Sequence, residues 1–216
     1  MPYRPTERTE ARKAATRDAI LTAAVDQLAA GGYASASINA VAARAGVATG
    51  TVYRHFDSKS SLFAEAFRRA AGLELDVFAE VTADDGRPAG QRIGAAVEAF
   101  ARRSLAEPTR AYALLAEPVD PAVEAERLIF RQGYRDVLKA VMVDGIQRGQ
   151  LPPHDTDTVS AALVGAIGEA LVGPLSPANG LKGGTGSSPE ALIATLVEFC
   201  IRALPRPVSR RRIVPT

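Results

Sequence analysis

Apolar residues recur at helical spacing along nearly the whole chain, and no stretch alternates apolar and polar residues as a half-buried strand would. That periodicity restricts the fold to an all-α one of about nine helices. Ile20, Ala24 and Leu28, with Leu21 and Val25 beside them, predict a first helix near 15–30 that ends at the Gly31-Gly32 pair. Ile38, Val41, Ala42 and Ala45 predict a short second helix, with Ser37 placed to cap it and Gly46 just past its end. Val52 and Phe56 face inward from a third. Ser58 caps a fourth, which carries Leu62, Phe63, Ala66 and Phe67 and runs to about Val81. Beyond the break at Gly86-Arg87-Pro88, prolines open the helices: Pro88 before a stretch to Leu105, Pro108 before Leu115, and Pro121 before a long segment to about Arg148. After Pro152-Pro153, Asp155 or Asp157 is placed to cap "TVSAALVGAIGEALVGPL". Residues 176–188, rich in Gly, Ser and Pro, read as a mobile linker to a last helix from Pro189 to about Leu204.

Two of these helices are apolar on more than one side. Ala161, Gly165, Gly168 and Val172 form one stripe, beside a second of Val164, Ile167 and Leu171. In the last helix Leu192, Leu196 and Phe199 run beside Ile193, Val197, Cys200 and Leu204. An ordinary surface helix needs one apolar face. A double stripe near the end of the chain points to a two-fold dimer interface built from Ala161, Gly165, Gly168, Val172, Leu192, Leu196 and Phe199.

The formal net charge of +2 hides an asymmetry: residues 1–59 carry +3, residues 60–205 carry −5 and residues 206–216 carry +4. A basic N-terminal module on an acidic body suits a polyanionic partner at that end. The lone Cys200 excludes an intramolecular disulfide and, in its apolar helical setting, reads as a buried thiol. The two histidines, His55 and His154, stand in no HExxH, and neither a GxSxG, a GxxxxGK[ST] nor a CxxC is present, so no catalytic residue, metal site or cofactor is implied. With no apolar leader in the polar N-terminus, the chain is expected to be soluble and cytoplasmic, with no membrane partner.

The stretch "AGVATGTVYRHFDSK", Ala45–Lys59, concentrates the chemistry. A helix over 37–45, a turn at Gly46-Val47 and a helix over 49–56 have the spacing of a helix-turn-helix, whose second helix enters the major groove. Thr49, Gly50 and Tyr53 share the face opposite the inward-facing Val52 and Phe56. Gly50 permits close backbone approach, Thr49 and Thr51 offer hydroxyls, and Tyr53 combines a ring contact with a phosphate hydrogen bond. Arg54, His55 and Lys59 add donors.

Residues 14–63 resemble the DNA-binding domain of the tetracycline-repressor (TetR) family. The resemblance rests on Gly32-Tyr33, the turn glycine Gly46, the Gly-Thr-x-Tyr-x-His-Phe run from Gly50 to Phe56, and Ser-Lys-x-x-Leu from Ser58 to Leu62. It implies that Ser37, Asn39, Thr49, Gly50, Thr51, Tyr53, His55 and Lys59 face double-stranded operator DNA carrying an inverted repeat, that the molecule is a homodimer, and that a small molecule in the C-terminal body controls binding. Ala48 replaces the serine that often caps the family's recognition helix, so Thr49 is expected to cap instead. Arg54 stands where the family varies and is expected to set operator preference.

The expected organisation is therefore a basic flexible arm (1–13), a helix-turn-helix domain (14–60), a ligand-binding and dimerisation domain (61–205) and a basic tail (206–216). In the body, Phe100, Tyr112, Leu115, Phe130, Tyr134 and Met142 are candidate cavity walls, with Glu117 and Arg131 as polar contacts. The body's acidic excess favours a neutral or cationic effector.

Overall fold

The computed structural model describes residues 7–178 and 188–206, and these form nine α-helices: α1 (Glu7–Ser35), α2 (Ile38–Arg44), α3 (Thr49–His55), α4 (Lys59–Val81), α5 (Ala89–Ala106), α6 (Pro108–Leu115), α7 (Pro121–Gln147), α8 (Thr156–Leu175) and α9 (Pro189–Ala203). The starts follow local chemistry. Ser37 accepts the Ala40 N–H, Ser58 and Ser61 form a reciprocal capping box, and Asp120, Asp155 and Ser188 cap α7, α8 and α9. Proline occupies the first turn of α6, α7 and α9, where its missing N–H costs nothing.

The first helix departs from expectation at both ends. It begins at Glu7, so residues 7–13 are helix and not a flexible arm; Glu7 and Glu10 put acid in the first turn, where the helix dipole favours it. It also continues through Gly31, kinks at Gly32 (φ 71°, ψ −176°) and runs on to Ser35. Residues 1–6, most of the expected linker (179–187) and all of the basic tail beyond Arg206 lie outside the described residues.

Two apolar cores are stacked along the chain. The first gathers Ile20, Ala24 and Leu28 of α1, Val41 of α2, Val52 of α3 and Leu62, Phe63 and Phe67 of α4. The second gathers Phe78, Ile93, Val97, Leu138, Met142, Leu163, Leu171, Ile193 and Cys200 from α4, α5, α7, α8 and α9. Burying each large side chain contributes roughly 1.5–3 kcal/mol, which fixes both assemblies of short helices. Cys200 is fully buried there, and burial pushes its thiol up to about 11. The 23-residue α4 contributes to both cores and so belongs to both domains.

Not every apolar residue is covered. Only 28% of the most apolar window of α8 is buried, and Phe199 of α9 is 52% exposed. Of the positions expected at a subunit interface, Leu196 instead packs inward and is 5% exposed, because it sits on the α9 stripe that completes the body's own core.

Candidate functional site

α3 is seated by Val52 and Phe56, both buried, and its opposite face is open. Gly46 makes the turn between α2 and α3 with φ 67°, a left-handed conformation that glycine adopts without strain. A Cβ added at Gly50 would meet nothing within 4 Å, Tyr53 is 51% exposed, and Arg54 is exposed. The exposed side of α3 therefore offers backbone, phenol and guanidinium with no acidic residue in the helix. Thr51 and His55 are half-buried beside it.

Several of these side chains are already engaged. The Ser37 hydroxyl accepts the Ala40 N–H at 3.2 Å, so it caps α2. The Thr49 hydroxyl donates to Asn39 Oδ1 at 3.2 Å and ties α3 to α2. Thr49 does not cap its own helix: the N-cap is Ala48, which provides no side-chain hydrogen bond. Lys59 Nζ lies 4.7 Å from the Tyr33 ring centroid and 5.7 Å from that of Phe63, a cation–π seat at the start of α4. Burial, then the positive charges of Lys13, Arg17 and Arg54, hold the His55 imidazole below its ordinary pKa. Lys13 and Arg17 of α1 and Arg54 of α3 thus lie close enough to act together on His55.

Between α4, α5, α6, α7 and α8 the body holds a cavity of about 540 Å³ that opens to solvent on one side. Aromatic side chains dominate its wall. Phe78, Phe100 and Tyr134 stack edge to face at centroid distances of 5.1–6.2 Å, with Phe67 and Phe130 nearer the N-terminal helices. Burial raises the Tyr134 hydroxyl well above its usual value, so it stays protonated. Five arginines (Arg103, Arg110, Arg127, Arg131 and Arg135) line the cavity against two carboxylates, Glu74 and Glu169. Glu74 is held by Arg103 at 2.8 Å and Arg110 at 2.6 Å. The cavity is therefore cationic, the opposite of what the body's net acidity suggested; the acids lie elsewhere on the body, and average charge carries no information on which face a side chain occupies.

A short segment after α6 joins this cavity to the N-terminal helix-turn-helix. Leu115 and Ala116 line the cavity. Two residues on from Leu115, the buried Glu117 carboxylate accepts the Tyr33 N–H at 2.7 Å and the Ala34 N–H at 2.9 Å, at the kink of α1. The kink requires glycine, because a Cβ at Gly32 would stand 2.6 Å from Glu117 Oε2. Asp120 then accepts the Tyr33 hydroxyl and, at 2.8 Å, the Ser60 hydroxyl of α4. Behind them the buried Arg127 donates to the carbonyls of Leu114, Ala113 and Glu117 at 3.0, 3.2 and 2.7 Å, and to Glu124, satisfying the free carbonyl end of α6.

Of the candidate pocket residues, Phe100, Leu115, Phe130, Arg131 and Tyr134 line the cavity. Tyr112, Glu117 and Met142 do not. Tyr112 packs at the edge of the body's core, Met142 is fully buried within it, and Glu117 points away to α1. Gly165, Gly168 and Val172, expected at the subunit interface, line the cavity as well. The four other arginines and Glu74 were not anticipated. The one available signal is the four-residue repeat of Arg127, Arg131 and Arg135, which puts three cations on one face of a helix.

Comparison with known proteins agrees with this architecture. Residues 20–66 match the family described as bacterial regulatory proteins, tetR family. The fatty acid metabolism regulator protein of Bacillus subtilis (strain 168) is 24% identical over 160 residues, covering 70% of this chain and 79% of that protein. Among solved structures, the fatty acid degradation regulator FadR from Bacillus halodurans superposes with a TM-score of 0.68 at 20% identity, covering 86% of this chain and 94% of its own. FadR from Bacillus subtilis, solved in complex with stearoyl-CoA, gives a TM-score of 0.69 at 19% identity over 87% and 98% of the two chains. Residues 20–66 thus carry a domain that matches the tetR family of bacterial regulatory proteins, and the chain as a whole shares the helical fold of these solved regulators.

Proposed function

We propose that the protein is a homodimeric, sequence-specific repressor released from an inverted-repeat operator when a small molecule occupies the cavity of the body. The observation that carries the reading is the cavity of about 540 Å³ standing one short segment away from the kink of α1 and the start of α4. Its size falls in the range of small-molecule sites. A body serving only for dimerisation would need no such space. The dimer is supported by the uncovered apolar side of α8 and by Phe199, Ala161 and Leu192 beside it, none of them fully buried in one subunit. Arg54, Gly50 and Tyr53 are the groups best placed to read base edges. Lys59 and the basic residues of α1 are placed for phosphates.

The aromatic wall suits an acyl chain, and the B. subtilis relative solved with stearoyl-CoA makes acyl thioesters the first ligands to try. Occupancy of the cavity displaces Leu115 and Ala116, the displacement reaches Glu117 and Asp120, and α4 tilts with the domain attached to it. Two half-sites about 34 Å apart tolerate little change in the separation of two recognition helices. By linkage, operator DNA must weaken the ligand by the factor with which the ligand weakens DNA.

Selection from random duplex DNA at fixed salt tests the DNA half: recovery of a short inverted repeat is expected, and recovery of none by a folded dimer would sink it. Titrating that operator in the presence of a long-chain acyl-CoA tests the effector half, with a 5- to 150-fold rise in Kd, the ordinary range of allosteric coupling, as the expected result.

A further inference from the structure

Arg127, Arg131 and Arg135 repeat every fourth residue along α7, and all three line the cavity. Their partners differ. Arg127 is held by Glu124 and by three carbonyls at and just beyond the end of α6. Arg131 is exposed and reaches a single acceptor, the Leu115 carbonyl, at 3.5 Å. Arg135 has a buried Nε with no hydrogen-bond partner, and no ion pair is found for it among the described residues. Like charges four apart on a helix repel, and a buried guanidinium nitrogen without an acceptor loses its water for nothing in return. Glu169 of α8 lines the same cavity and is unpaired among the described residues, so Arg131 and Arg135, neither with an ion pair among those residues, share the lining with one carboxylate.

We propose that Arg131 and Arg135 form an anion seat that takes the acidic end of an amphipathic ligand whose apolar chain lies among Phe78, Phe100 and Tyr134. The inference rests on the effector reading of the cavity and adds to it which end of the ligand goes where. Two guanidinium forks one helical turn apart match a carboxylate or phosphate and offer nothing to a neutral or cationic head. The charge can come from a free fatty acid or from the phosphates of an acyl thioester.

Calorimetric titration of the full chain with dodecanol, dodecanoate and lauroyl-CoA tests the seat. The wild type is expected to bind at least one of the two anions more tightly than the alcohol, by on the order of tenfold or more, as charge-assisted hydrogen bonds require. The double variant R131Q/R135Q keeps the affinity for dodecanol and loses the preference. A thermal midpoint checks that the double variant is folded; if it is not, R135Q alone, which breaks no hydrogen bond found among the described residues, carries the same test. Lauroyl-CoA favoured over dodecanoate places phosphates on the seat; equal affinity places a single terminal charge there. A wild type with no preference, a variant that keeps it, or a wild type that binds none of the three overturns the seat. Binding that follows this pattern but leaves operator affinity unchanged overturns the effector reading and leaves the seat standing.

Discussion

The DNA-binding domain and the body are both made of helices with apolar faces, yet the first is filled throughout while the second sets a cavity beside its packed core. In the N-terminal domain, Ile20, Val41, Val52, Leu62 and Phe63 are 0% exposed, and the polar residues are left facing outward. In the body, aromatic side chains and arginines face a cavity, and an apolar side of α8 is still uncovered. A filled core fixes one shape; a hollow one can take at least two. The proposed sensing falls to the part whose packing is incomplete.

Substitutions sharpen that contrast. The largest effect is expected from Phe63→Ala, which empties a fully buried site in the filled core and should cost about 3–5 kcal/mol in denaturant unfolding. Val164→Ala on the cavity wall removes atoms that already face open space, and about 1 kcal/mol or less is expected. Equal losses at the two sites would break the comparison. At the junction, Gly32→Ala meets both a left-handed backbone and the Glu117 carboxylate; a loss of roughly 1–3 kcal/mol is expected, with reduced hydrogen-exchange protection at Tyr33 and Ala34.

On the outer face the effects move from stability to binding. Tyr53→Ala should weaken operator affinity by roughly tenfold or more while leaving unfolding within about 0.5 kcal/mol. Lys59→Ala should lower the slope of log affinity against log salt by about 0.9 for each phosphate left without its lysine, at a further cost of roughly 0.5–1 kcal/mol from the vacated seat over Tyr33. The smallest effect is a pH dependence. In the free protein His55 is held below its ordinary pKa by burial and by Lys13, Arg17 and Arg54, so it is neutral at pH 7.5 on the scale where an unperturbed histidine titrates near 6.5. A nearby phosphate raises that pKa in the complex, so binding takes up a proton. Operator affinity should then rise as pH falls toward the free value, by less than tenfold per unit for one proton, and should flatten below it. His55→Gln should abolish the slope; an unchanged slope would assign the proton elsewhere.

Helix order and most helix ends were legible because capping and proline chemistry is local: Ser58, Pro108, Asp120 and Ser188 mark their helices from one or two residues. The end of α1 was not, because the residue that decides it, Glu117, is more than eighty positions away. The exposed face of α3 was legible because Val52 and Phe56 leave only one side of a seven-residue helix uncovered. The cavity was legible in Phe100, Phe130 and Tyr134, but not in Phe67 and Phe78, and it was misjudged in its charge. Glu117 had the composition of a pocket residue and the location of a hinge contact, and no spacing rule distinguishes those. The α8 glycines, assigned to a second subunit, also border the cavity, since a small-residue stripe states only that something approaches closely.

The 23 residues of α4 make it a rod about 34 Å long, nearly the distance between two half-sites. Pivoting such a rod by about 5° at its body end carries its other end by roughly 3 Å. Two subunits pivoting oppositely would alter their reach by close to two base-pair steps of about 3.4 Å. On the proposed mechanism, a displacement at the cavity no larger than a side-chain adjustment would be geared up to the scale on which DNA keeps its register.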